Sequence, residues 1–194
     1  LGFSGHCPVP FDNNWSMTRA DLPSYFEEIA KTQNLYQDRI QIYRSLEVDY
    51  IPEQITPDAD WIQDLLLDYT IGSVHFVGAY DNGRAWEIDG PHQVFLDGLD
   101  KIYSRDVKYV VQQYFGLTRQ MVREACPDVI GHLDKIKMQN RGLWNENDRW
   151  YRNELLETLE EIKASNAIIE VNTRGIYKKL TSEPYPGKWL LQQI

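Results

Sequence analysis

Short apolar runs alternate along this chain with longer amphipathic segments. "LGFS" (1–4) is a brief apolar start. From Asp21 and Pro23 onward, Leu22, Phe26, Ile29 and Ala30 recur at helical spacing, which predicts a first helix. "IQIYRSLEV" (40–48) instead alternates, with Ile40, Ile42, Leu46 and Val48 on one face and Tyr43, Ser45 and Glu47 on the other, as in a strand. "TPDADWIQDLLLDY" reads as a helix capped by Thr56, with Pro57 at its first position. "TIGSVHF" (70–76) is a third strand, and "YDNGRAWEIDG" (80–90) a turn-rich excursion around Asp81-Asn82-Gly83.

Val107, Val110, Tyr114, Leu117 and Met121 then step by threes and fours, the mark of an amphipathic helix, and Pro127 ends it. "DVIGH" (128–132) is a fourth strand. Asn145 is a candidate cap for a helix striped by Leu155, Leu159 and Ile162. "NAIIEVNTRG" (166–175) is a fifth strand running into a turn, and "YPGKWLLQQI" starts a last helix. Strands separated mostly by helices pair in parallel, so the pattern predicts an α/β barrel or open sheet. The connection between the third and fourth strands holds about two helices, an insertion.

Composition narrows the function. The 194 residues suffice for one domain with a real core. The net charge of −9 disfavours nucleic acid, which demands basic stripes. Small anions remain possible where a few local cations outweigh the global field. Cys7 and Cys126 have no metal-pair spacing and imply no disulfide framework, so a reducing cytoplasm fits best. No apolar run approaches the ~20 residues of a membrane span. The chain opens on Leu1 rather than Met, so the absence of a targeting signal says little.

The chemistry sits at strand ends. His6 follows the first strand, Glu47 ends the second, His75 the third and His132 the fourth; Glu170, Asn172 and Arg174 follow the fifth. In a parallel barrel such positions converge on one mouth. A lone strand-end histidine is ordinarily a hydrogen-bonded structural residue. Here three of the four histidines fall there beside Glu47, a set suited to zinc, manganese or iron. His92 reads as a solvated surface residue and Cys7 as a buried, inert thiol. Trp15 is a candidate lid residue or pocket wall. Arg174, just past a strand end, and Lys137, about a turn beyond His132, are each either a phosphate-binding cation or a surface charge.

Five segments in series, "GFSGHCPVPF", "LEVDYIPE", "IGSVHF", "GHLDKIKMQNR" and "IIEVNTRGIYK", resemble the histidinol-phosphatases of the PHP (polymerase and histidinol phosphatase) superfamily. The resemblance runs through nearly the whole chain. It implies an incomplete, distorted (β/α)7 TIM-like barrel with up to three divalent metal ions at the strand C-termini. It places metal ligands at His6, Glu47, His75 and His132, and gives Lys137 and Arg174 to the substrate phosphate. The implied reaction is hydrolysis of L-histidinol phosphate to L-histidinol and phosphate, in histidine biosynthesis.

The family's opening His-x-His and closing Asp-x-His pairs are not in this sequence, and Cys7 stands where relatives carry a small alanine. The five strands then correspond to strands two to six of a single partial domain, with weak metal binding and little activity on its own. Two other readings stay open: a related phosphoesterase acting on another ester, and a degenerate metal-binding module without catalysis.

Overall fold

The computed structural model describes residues 1–194. In chain order its elements are β1 (Gly2–His6), α1 (Leu22–Tyr36), β2 (Tyr43–Asp49), α2 (Asp60–Gln63), β3 (Tyr69–Ser73), β4 (Phe76–Ala79) and β5 (Ala85–Glu87). Next come α3 (His92–Tyr103), α4 (Val107–Glu124), β6 (Val129–Ile130), a 3-10 turn (Lys135–Gln139), α5 (Arg149–Lys163), β7 (Ile168–Ile169), α6 (Arg174–Tyr177) and α7 (Lys188–Leu191).

The main sheet has five parallel strands in the order β1-β2-β3-β6-β7. Sheet order equals chain order, so every crossover steps the same way. This is the winding of a barrel wall rather than of a doubly wound sheet, which reverses direction part-way. The five predicted strands are these five, and β1 and β7 form the two edges.

Registry fixes what meets at the strand ends. His6 pairs with Glu47, Glu47 with Ile71, and Asp49 with Ser73. Alternation along β2 sends Leu46 and Val48 into a core cluster with Leu22 of α1 and Ile62 of α2. Ser45, Glu47 and Asp49 take the opposite face. His6 and His75 lie two strands apart, about 10 Å in a flat sheet. Their ring centroids are nevertheless 5.6 Å apart, because the wall curls and both rings lean inward. Gly72 allows one close approach on the way: a Cβ there would lie 2.6 Å from Pro127 Cγ and 2.8 Å from Met121 Sδ.

The larger core lies between the insertion and α5. Trp86 of β5, Phe95 and Leu99 of α3, Tyr114 and Phe115 of α4, and Tyr151 and Leu155 of α5 are all buried in it. The predicted stripes hold: Val110, Tyr114 and Met121 of α4, and Leu155, Leu159 and Ile162 of α5, face the core. No helix is long and apolar enough to cross a membrane.

Several expectations needed correction. "TIGSVHF" does not continue as one strand. β3 stops at Ser73, and Phe76 begins β4, which pairs antiparallel with β5 in the excursion read as turns. Thr56 caps nothing: its hydroxyl donates to Asp58 Oδ1, and α2 is a single turn starting at Asp60. Ala30 and Ile40 are exposed rather than core. The N-cap of α5 is Asp148, not Asn145. His92 is half-buried, its Nδ1 2.9 Å from Oε1 of buried Gln139, not a freely solvated side chain.

Candidate metal centre

Four strands deliver His6, Glu47, His75 and His132 to one mouth. His75 and His132 are buried; Glu47 is mostly shielded and His6 about one-third exposed. His132 Nε2 lies 3.0 Å from Glu47 Oε1 and 3.1 Å from His75 Nε2, and His75 Nε2 lies 3.7 Å from Glu47 Oε1. Four ligands around zinc at its usual bond lengths stand about 3.4 Å apart, so these three atoms have the spacing of a tetrahedral face. They are two imidazole nitrogens and a carboxylate oxygen, a zinc-type donor set. A single shared proton leaves at least one pair of lone pairs in contact; a central cation satisfies all three atoms. The donors fit a divalent metal.

Side chains behind the donors hold them in place. Ser73 Oγ donates to Glu47 Oε1 at 2.8 Å. Asp49 Oδ1 sits 2.6 Å from His75 Nδ1. The His132 backbone has φ +23°, a strained value for a non-glycine residue, and its amide donates to Glu170 Oε2 at 2.9 Å. Gly131 beside it lets this backbone approach β3, for a Cβ there would lie 2.3 Å from Ser73 Oγ.

The electrostatics follow from burial. Burial alone would raise Glu47, but the hydrogen bond and charge of His132, with His75 and His6, hold it far below the usual carboxylate range. Burial would lower His75, yet the charge and hydrogen bond of Asp49, with Asp89, raise it to about 9. His132 shifts down, because burial and Lys135 outweigh Glu47; the pair is a carboxylate accepting from a neutral imidazole. Burial also lowers His6.

This floor opens into a cavity of about 420 Å³. Trp15 and Tyr185 wall it, and Glu87 and Asp89 line another side. Burial and then Asp89 push Glu87 up to about 7, while His75 and Lys135, against the burial penalty, hold Asp89 low. Lys135, Arg174 and Lys178 bring three cations to a chain of net charge −9.

With that geometry in place, residues 1–174 match the PHP domain. The chain belongs to the PHP domain family. A Deinococcus radiodurans protein named "Probable histidinol-phosphatase" is 30% identical over 99% of this chain and 68% of its own length. The histidinol-phosphatase of Saccharomyces cerevisiae is 27% identical over 66% of this chain and 43% of its own. Among solved structures, a provisionally named histidinol phosphatase of Listeria monocytogenes superposes with a TM-score of 0.82 at 18% identity, over 99% of this chain and 77% of that one. The Lactococcus lactis histidinol phosphate phosphatase, solved with zinc, L-histidinol and phosphate, gives 0.62 at 22% identity, over 89% and 61%. At these identities the two structures attest the fold.

Within this PHP domain the sequence-predicted residues are not all together. His6, Glu47, His75, His132 and Arg174 line the cavity; Lys137 does not. Its buried ammonium lies 3.0 Å from Asp134 Oδ2 and donates to Pro184 O at 3.0 Å and toward Glu183. The cation that reaches the cavity is Lys135, which pairs with Asp89 and lies 3.4 Å from His75 Nε2. The correction has a simple cause: in the turn after His132, residues 135 and 137 point to different sides. Trp15 packs edge-on to His6, with centroids 5.0 Å apart. Cys7 is buried, with a thiol pushed up to about 12, first by burial and then by Asp49, as an inert thiol requires.

Asp49, Asp89 and Lys135 escaped the sequence reading. Asp49 was legible, two residues past Glu47 on the same strand face. Asp89 follows the unrecognised β5, and nothing local in "WEIDG" marks it.

Proposed function

We propose that this chain carries the metal centre of a phosphatase that hydrolyses L-histidinol phosphate. The observation that carries the proposal is the convergence of Glu47 Oε1, His75 Nε2 and His132 Nε2 beneath a cavity with a cationic rim. The names of the relatives from Deinococcus and yeast support the choice of substrate. Glu47, His75 and His132 would hold a divalent cation, with His6 beside them. Such an ion supplies Lewis acidity toward a phosphoryl oxygen and makes water a nucleophile at neutral pH.

The chain's own groups do the rest. Arg174, exposed at the start of α6, offers two parallel N–H donors to the phosphoryl oxygens. Lys135, on the same cavity lining and paired with Asp89, adds an ammonium that offsets charge building on those oxygens. Glu87 and Asp89 face the amine end of the substrate. Trp15 and Tyr185 exclude water from its apolar portion. Both thiols are free, in keeping with a reducing cytoplasm.

The His-x-His and Asp-x-His pairs of the resemblance are not in this sequence, so slow turnover is expected from these ligands alone. The readout is therefore a ratio: phosphate release from L-histidinol phosphate against a generic phosphomonoester, with zinc or manganese and with chelator. Metal-dependent preference for histidinol phosphate is expected. Turnover of the generic ester alone would keep the metal chemistry and discard the substrate. Release unaffected by chelator would sink both.

A further inference from the structure

One buried carboxylate at the centre remains without a task. Asp49 ends β2, on the same face as Glu47, and is fully buried. It is not one of the trio Glu47, His75 and His132; its carboxylate lies near ligand atoms of His6 and His75 instead, and its short contact is to the His75 nitrogen that faces away from that trio. Its Oδ1 lies 2.6 Å from His75 Nδ1, whereas the opposite ring nitrogen, Nε2, faces Glu47 and His132.

The chemistry of that short contact is restrictive. A contact this short holds one proton, and imidazole, the stronger base of the two group types, keeps it on Nδ1. When a metal displaces the second proton, an imidazole whose remaining proton is held on Nδ1 presents Nε2 as the coordinating lone pair. Strand pairing builds the arrangement: Asp49 pairs with Ser73, two residues before His75. Among ion-pair partners Asp49 has His75 alone, and its other oxygen has none. A buried carboxylate satisfied on one side is expensive, and packing alone would be served better by an apolar side chain.

We propose that Asp49 is a positioning residue, which locks His75 in the Nδ1–H tautomer and holds Nε2 toward the metal position. This rests on the metal-centre part of the functional reading and not on the substrate.

The test begins with zinc affinity of the wild-type chain, by competition with a chromophoric chelator, and long-range 1H–15N spectra of its histidine rings. His75 should show a protonated Nδ1 and a liganded Nε2. Asp49→Asn should weaken zinc binding about 10- to 100-fold, Asp49→Glu should recover part of that loss, and the zinc-free variants should keep wild-type helical content. Zinc bound through Nδ1 of His75 would overturn the proposal. So would an Asp49→Asn chain that melts earlier when zinc-free yet binds zinc within twofold of wild type, since that is a purely structural carboxylate. If Asp49→Asn does not fold, the wild-type spectrum decides by itself. A wild type that binds no zinc refutes the metal centre and this proposal together. Phosphate release is not read, so a wrong substrate leaves these outcomes unchanged.

Discussion

Two buried polar clusters lie within a few residues of each other, and they are built on opposite principles. In one, Asp134, Lys137 and Glu183 set an ammonium against carboxylates, with Pro184 O as a further acceptor and the Gly187 amide donating to Asp134 at 2.9 Å. This cluster staples the segment after α6 to the turn after β6. In the other, a carboxylate oxygen of Glu47 and one ring nitrogen each of His75 and His132 crowd together at 3.0 to 3.7 Å, and one shared proton cannot satisfy all three contacts. Donor matched to acceptor makes a clamp, whereas metal-ligating atoms crowded on one point make a donor set for a cation. Residue types alone do not separate the two, since both are rich in charge and nearly dry.

Mutations should separate them. His75→Ala is expected to lower metal-dependent phosphate release by three or more orders of magnitude while circular dichroism stays native; near-normal release would remove His75 from the ligand set. Lys137→Ala should act on stability instead. Removing one partner of a buried pair costs about 3–5 kcal/mol, a fall in Tm of roughly 10 °C for a chain of this size. A raised KM with an unchanged Tm would return Lys137 to the substrate. Arg174→Ala should leave Tm in place and raise KM about tenfold, the loss of roughly one charge-assisted hydrogen bond, with Arg174→Lys restoring only part.

The smallest effect concerns pH. Glu87 titrates near 7 when folded, above its ordinary 4.5, so the folded state binds more protons than the unfolded state. Its contribution to stability is full below about 4.5 and is lost as pH rises through about 7. This group alone makes Tm fall as pH rises from 5 to 7.5, against the opposite contribution of the lowered His6 and His132, so the Tm of Glu87→Gln should fall less, or rise more, than that of the wild type over that window. Equal slopes in the two proteins would contradict the burial of Glu87 against Asp89.

The contrast also explains what the sequence disclosed. Period-two and helical spacing revealed the five parallel strands and the stripes of α4 and α5, because burial of one face writes itself along the chain. Strand ends revealed His6, Glu47, His75 and His132, because topology brings C-terminal ends together. The break at Val74 and His75 was hidden, since the apolar run continues through it into β4. The difference between Lys135 and Lys137 was hidden too: a 3-10 turn repeats near three residues rather than two or four, so neither strand nor helix spacing shows which lysine faces the mouth.

Glu47 and His132 touch across 85 residues of sequence. An ion gripping both acts as a removable cross-link around α2, the β4–β5 hairpin, α3 and α4. It closes a loop of the size for which a disulfide is worth on the order of 4 kcal/mol. A chain nicked by protease at the exposed Asp81–Gly83 turn keeps its strand pairing and core across the cut, so zinc should raise the temperature at which the two pieces part and a chelator should lower it.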